Sequence, residues 1–312
     1  MELTLSQLQQ FTAGTASIEQ INGVIRFRRF THRQIHAFGA MSEDFYPRAR
    51  ATTGCRIDFH TDSGTLTVET AGMGKYEVMV DALPRFRFDT EKPEKLTMDL
   101  GPGEKRVTIV LPSHCEGMLS AVHVADGASL RPHEYKRRLL FIGDSITQGW
   151  DSHWDCLSFA WQATTCLDAD SMILGVGGSF FCSATLEDVG FSPDAVIIAY
   201  GTNDLFHFGS LAAFHQACRE YLDTVKVQYP GTKVFCITPL WRADAGDASI
   251  GTLDDIRSVI AAEASGHGFT VINGSEMVPH VPEFYADQYL HPNDLGFSIY
   301  AKNLVHALDQ HM

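Results

Sequence analysis

The hydrophobic rhythm of the chain changes near residue 136, and no other feature constrains the fold as much. Before that point apolar residues recur at every second position. The segments Gly23–Phe30 (GVIRFRRF), Cys55–His60 (CRIDFH), Gly64–Thr70 (GTLTVET) and Lys75–Asp81 (KYEVMVD) alternate in this way. So do Arg85–Phe88, Lys95–Leu100, Lys105–Pro112 and Met118–Val124. A period of two turns one side of a strand inward and leaves the other in water. Turn clusters such as TDSG, AGMG and GPGEK separate the segments. About eight short antiparallel strands with no helix between them predict an all-β, jelly-roll-like sandwich over residues 1–130. Ala125–Arg137 reads as the linker that follows.

Beyond Lys136 the apolar runs become continuous: Leu139–Gly143, Ser171–Val176, Ala195–Gly201, Lys233–Pro239 and Phe269–Asn273. Unbroken runs of this length suit parallel strands buried on both faces. Amphipathic stretches alternate with them, at Ser210–Tyr229, Thr252–Ser265 and Asn293–Gln310. Thr252 followed by Asp255 looks like a capping box. The pattern predicts an α/β domain over residues 137–312, a flavodoxin-like three-layer α/β/α sandwich around a parallel sheet. In such sheets ligands bind beyond the C-terminal strand ends, so those ends carry the functional question.

Four polar signals stand there. The first strand ends in GDSITQG (Gly143–Gly149), the second in GVGGSF (Gly175–Phe180) and the third in YGTNDL (Tyr200–Leu205). DQYLHPNDLGF (Asp287–Phe297) precedes the last helix. Each has a plain structural alternative: Ser145 or Asn203 as a helix cap, the glycines as tight turns, His291 as a capping histidine. Their conjunction points to acyl transfer, which needs a nucleophile, a base and donors for an oxyanion in one crevice. Rival motifs fail. A nucleophile elbow needs glycine where Thr147 stands, and a phosphate loop needs Gly-Lys where Gly149-Trp150 stands. GVGGSF departs from the dinucleotide fingerprint at Phe180.

Charge and cysteine content narrow the partners. Lys plus Arg number 24 against 38 Asp plus Glu, a net charge of −14. Such a chain repels phosphate backbones and anionic lipid, which argues against nucleic acid and membrane partners. No apolar run approaches the roughly 20 residues of a membrane helix. The opening MELTLSQLQQFTAGT lacks the basic start and apolar stretch of a signal peptide, so a cytoplasmic location is expected. The seven cysteines are scattered without a C-x-x-C pair. Buried reduced thiols are expected, and neither a metal nor a cofactor is signalled.

Taken together, GDSITQG, the glycine pair, GTND and HPNDLGF resemble the signature blocks of the SGNH (GDSL-type) hydrolases, in family order across residues 139–300. With its preceding sandwich, the chain is similar to two-domain carbohydrate esterases in which a jelly roll precedes the SGNH domain. The resemblance implies that Ser145 is the nucleophile and that its own N–H is one oxyanion donor. It implies a second donor at Gly178, or at Gly177 if the register differs by one, and a third in the Asn203 side chain. His291 becomes the general base, while Asp144 organises the turn. The family places its orienting acid three residues before the histidine, where this chain has Gln288. Either Asp287, four residues before, reaches the imidazole or a backbone carbonyl replaces it.

The activity implied is that of a serine esterase releasing small acyl groups, above all acetyl, from a carbohydrate or similar hydroxylated small molecule. Alternatives are a thioesterase or lysophospholipase for longer chains and a catalytically silent carbohydrate-binding protein. Trp150, Trp154, Phe180, Phe181 and Trp241 are expected around the crevice. Arg26, Arg28, Arg85 and Arg87 are expected on solvent-facing strand surfaces.

Overall fold

The computed structural model describes every residue except Asp247. Two antiparallel sheets face each other in the first part of the chain. One runs Thr12–Ala13, Arg56–Thr61, Lys105–Val110, Gly74–Val80, Leu83–Thr90, with Leu130–Pro132 also paired to Arg56–Thr61. The other runs Ser17–Ile21, Val24–Arg28, Met118–Val124, Thr65–Thr70, Lys95–Asp99. The alternation does what its period requires: Ile25 and Phe27 point inward from one sheet and meet Ile57, Phe59, Val107 and Ile109 of the other.

Contrary to the expectation of strands alone, helices interrupt this half, at Leu5–Phe11, His32–Met41 and Phe45–Arg50. The last two lie between Val24–Arg28 and Arg56–Thr61. Thr31 starts His32–Met41 with a capping box, its hydroxyl accepting the Gln34 N–H. Each of the two helices buries only two apolar side chains, Ile35 and Phe38, then Phe45 and Ala49. Two apolar positions are too few to register as a period in the sequence. These four residues do not join the sandwich. They pack with Leu140, Ile142, Leu174 and Ile198 of the third sheet.

That sheet is wholly parallel, in the order Ala169–Gly175, Arg137–Gly143, Ala195–Ala199, Lys233–Ile237, Thr270–Ile272. Counted within its own half the order is 2-1-3-4-5, the flavodoxin-like winding, with a switch point beside Arg137–Gly143. Leu139 and Phe141 face a layer containing Phe159, Ala163, Phe297, Tyr300 and Leu304. Leu140 and Ile142 face the opposite layer, with Phe214, Tyr221, Ile256 and Ile260. Burial on both faces is why these strands read as unbroken apolar runs.

The segment expected to be a linker is stitched down. Leu130–Pro132 pairs with Phe59–Thr61, and the Tyr135 hydroxyl donates to Asp58 Oδ2 at 2.6 Å. His133 Nε2 lies 2.8 Å from Asp168 Oδ1. Among the described residues all seven cysteines are free thiols. Cys55, Cys156, Cys218 and Cys236 are buried as expected, whereas Cys166 is exposed. No described helix is long and apolar enough to cross a membrane.

Candidate active site

Three of the parallel strands end in glycine-bearing turns that meet. The central strand stops at Gly143, and Asp144 caps the one-turn helix Ser145–Gln148 by accepting the Ile146 N–H at 3.0 Å. This leaves Ser145 as the first residue beyond the cap, 7% exposed. The neighbouring turn has to come very close. A Cβ on Gly175 would lie 2.3 Å from the Gln148 nitrogen, so only glycine fits there. Gly149, at φ 81°, ends the short helix in the left-handed region and returns the chain toward Trp150.

Ser145 Oγ lies 2.9 Å from His291 Nε2. On the far side of the ring, His291 Nδ1 lies 2.8 Å from Asp287 Oδ2. The acid is thus found four residues before the histidine, and the way it reaches is visible. Gln288 takes a left-handed backbone, φ 67°. The N–H groups of Tyr289, Leu290 and His291 then converge on the Asp287 carboxylate at 3.0, 2.8 and 3.1 Å. Burial would raise this carboxyl, but the Leu290 and Tyr289 N–H groups and the His291 imidazole outweigh it and hold it below the usual carboxylate range. His291 is not a helix cap: Asn293 caps the last helix by accepting the Gly296 N–H. A second carboxylate stands close by, with Asp151 Oδ2 3.4 Å from His291 Nδ1. Asp151, Asp287 and His291 could together hold a cation, their ligand atoms lying within 4.8 Å of one another. The sequence had signalled no such group, because Asp151 is 140 positions away from His291.

Ser145, His291, Gly177, Gly178 and Asn203 line one cleft of about 240 Å³ together with Arg48, Trp150 and Leu290. The Gly177 N–H is already taken, donating to Gln148 Oε1 at 2.7 Å. Among the described residues no backbone acceptor takes the Gly178 N–H. Gly178 sits at φ 83°, a conformation that favours glycine. Asn203 precedes the short helix Asp204–His207 without capping it. Its Nδ2 donates instead to Ser179 O at 2.9 Å, which leaves a second N–H on the same amide. Asp204 ties the second and third strand ends together by accepting the Phe181 N–H. Burial pushes the carboxyls of Asp144 and Asp204 up to about 7, with Asp144 adding to the effect on Asp204.

Of the five aromatic residues expected around the crevice, Trp150 alone lines it among the described residues. Phe181 is core, 2% exposed, because the chain turns back beneath Tyr200 and Tyr221 at that point. Trp154 sits under Arg87 and Lys75. Trp241 packs on Tyr285, and Phe180 stacks on His207. The arginines are also mostly engaged rather than free. Arg26 and Arg28 both donate to Glu116, and Arg87 to the buried Glu77, while Arg85 faces solvent. Arg48 entered the cleft unannounced by any sequence signal. It comes from the first half of the chain, and its guanidinium lies over the Trp150 ring at 5.3 Å.

Residues 141–299 match the GDSL-like lipase/acylhydrolase family, and the chain belongs to it. It is a carboxylic ester hydrolase by class. The whole chain is similar in fold to several solved structures. The salicylyl-acyltransferase SsfX3 of a tetracycline biosynthetic pathway has TM-score 0.80 and 19% identity, over 96% of this chain and 95% of that one. A GDSL-like lipase of Bacteroides ovatus has TM-score 0.75 and 17% identity, over 97% and 96%. A family two carbohydrate esterase of Cellvibrio japonicus has TM-score 0.69 and 17% identity, over 97% and 96%. No curated protein matches the chain by sequence.

Proposed function

We propose that this chain is a serine esterase that removes small acyl groups, acetyl foremost, from a carbohydrate or similar hydroxylated molecule. One observation carries the proposal: the continuous line Ser145 Oγ, His291, Asp287, with contacts of 2.9 and 2.8 Å, opening on a cleft that Gly178 and Asn203 also line. Ser145 donates its proton to His291 Nε2 as its oxygen attacks the ester carbonyl. The oxyanion is received by the N–H groups of Ser145 and Gly178 and the free N–H of the Asn203 amide. His291, its charge balanced by Asp287, protonates the leaving alcohol. Water then repeats the sequence on the acyl-enzyme and releases the acid.

The modest size of the cleft, about 240 Å³ with Leu290 and Trp150 in its lining, favours a small acyl group. Trp150 lines the cleft, where its indole can contact a sugar. Likeness in fold to a family two carbohydrate esterase favours a sugar as the alcohol. A fluorophosphonate probe should label wild-type protein and not Ser145→Ala. Hydrolysis of p-nitrophenyl acetate should exceed that of the octanoate ester. Preference for the longer chain would replace the small-acyl assignment with a thioesterase or lysophospholipase one. Acetate release across a panel of acetylated sugars then identifies the alcohol.

A further inference from the structure

The glycine turn that offers the Gly178 N–H is held by two arginines from the other half of the chain. Arg48 Nη1 donates to Gly177 O at 2.8 Å. That oxygen belongs to the same peptide unit as the Gly178 N–H. In a trans peptide the two point in opposite directions, so gripping the carbonyl aims the N–H. A charged donor on the carbonyl also polarises the amide and makes its N–H a stronger donor. The residue before is anchored as well, with the Gly177 N–H on Gln148 Oε1 and Gln148 Nε2 donating to Ser113 O at 3.0 Å.

Arg48 is itself placed by Arg29, which is 1% exposed. Arg29 Nη2 donates to Arg48 O at 2.7 Å, Nη1 to Gly175 O at 2.6 Å and to Ile173 O at 2.8 Å, and Nε to Ala51 O at 2.7 Å. One buried cation therefore joins the helix Phe45–Arg50 to the second strand just where it enters the glycine turn. A Cβ on Gly178 would meet Phe45 Cε1 at 2.9 Å and Arg48 Nη1 at 3.1 Å, so the helix is also the wall against which this turn is set.

We infer that Arg48 is a positioning residue of the oxyanion site, aiming and polarising the Gly177–Gly178 peptide, so that the N-terminal half supplies part of the catalytic apparatus. This rests on the esterase assignment above. An alternative role, direct recognition of an anionic substrate, is less favoured because the guanidinium is already engaged: Nη1 on Gly177 O, Nη2 toward Asp44 Oδ2 at 3.5 Å, and its face on Trp150.

The test uses a neutral ester, p-nitrophenyl acetate, on full-length Arg48→Met, Arg48→Lys and Arg48→Gln. Loss of an oxyanion donor costs roughly 10²–10³ in kcat, and loss of the support behind one should cost about tenfold. Arg48→Met should therefore lower kcat about tenfold with KM within twofold. Arg48→Lys should recover part of that loss, and Arg48→Gln, which donates without charge, less. A raised KM at unchanged kcat would reassign Arg48 to substrate binding and overturn the inference. If Arg48→Met does not fold, the Lys and Gln variants decide: kcat equal to wild type in both overturns it, and a graded fall supports it. A wild type that neither labels with fluorophosphonate nor hydrolyses the ester removes the esterase assignment and this inference with it. An active wild type with unaffected variants removes the inference alone.

Discussion

His291 stands between a serine and two carboxylates, and the second carboxylate alters what a single substitution can reveal. In a serine triad, neutralising the only acid costs roughly 10⁴-fold in kcat. Here Asp151 remains 3.4 Å from Nδ1 when Asp287 is neutralised. Asp287→Asn should therefore fall short of that loss, and Asp287→Asn combined with Asp151→Asn should approach it. A double-mutant cycle on kcat measures the difference, and additive effects would show that Asp151 is a bystander. Deeper in, Asp144 and Asp204 carry carboxyls pushed up to about 7 by burial. A folded state that holds protons more tightly than the unfolded chain is stabilised by them at low pH. Their contribution is thus full near pH 4 and is lost as pH rises through about 7. Urea midpoints for Asp204→Asn should decline less steeply across that window than those of wild type.

At the scale of elements, the notable piece is the pair of short helices His32–Met41 and Phe45–Arg50. They were not legible in the sequence, whereas the strand ends were. Ser145 and Asn203 could be singled out because each follows an apolar run, and His291 because it stands just before the last helix; both are local signals. Asp287 was legible with its ambiguity, since only the left-handed turn at Gln288 decides that it reaches the ring. Arg29 and Arg48 were not. Arg29 follows Arg28 in GVIRFRRF, on the inward parity of Ile25 and Phe27, and nothing local shows what a buried cation there would pair with: its partners are backbone carbonyls, two of them more than 140 positions away. Backbone acceptors leave no trace in side-chain patterns. Arg29→Met would orphan several buried carbonyls at once, and unsatisfied buried groups cost about 1–3 kcal/mol each. Urea unfolding should register a loss of about 3 kcal/mol or more, and fluorophosphonate labelling of the surviving folded fraction should be slowed.

Across the whole molecule, the two rhythms of the sequence correspond to two kinds of sheet, but beside the sandwich's own core one cluster is shared between them. Phe30, Ile35, Phe38, Phe45 and Ala49 from the first half share one cluster with the parallel sheet. His133, Tyr135 and Arg106 stitch the halves again through Asp58 and Asp168. A chain limited to residues 137–312 should expose that cluster, aggregate or remain loosely folded, and fail to label at Ser145. Soluble, labelling-competent protein from that segment would show that the halves are separable. Heating the intact chain should give one calorimetric transition, because neither half can open without exposing the shared cluster.

The grip of Arg29 and Arg48 on the glycine turn also bears on inheritance. A sandwich joined to a hydrolase through a flexible tether can be traded between genes as a cassette. A foreign first half lacking arginine at positions 29 and 48 would leave the glycine turn without the two guanidinium groups that hold it. A functional chimaera should therefore keep residues 29–51 together with the segment that bears the serine.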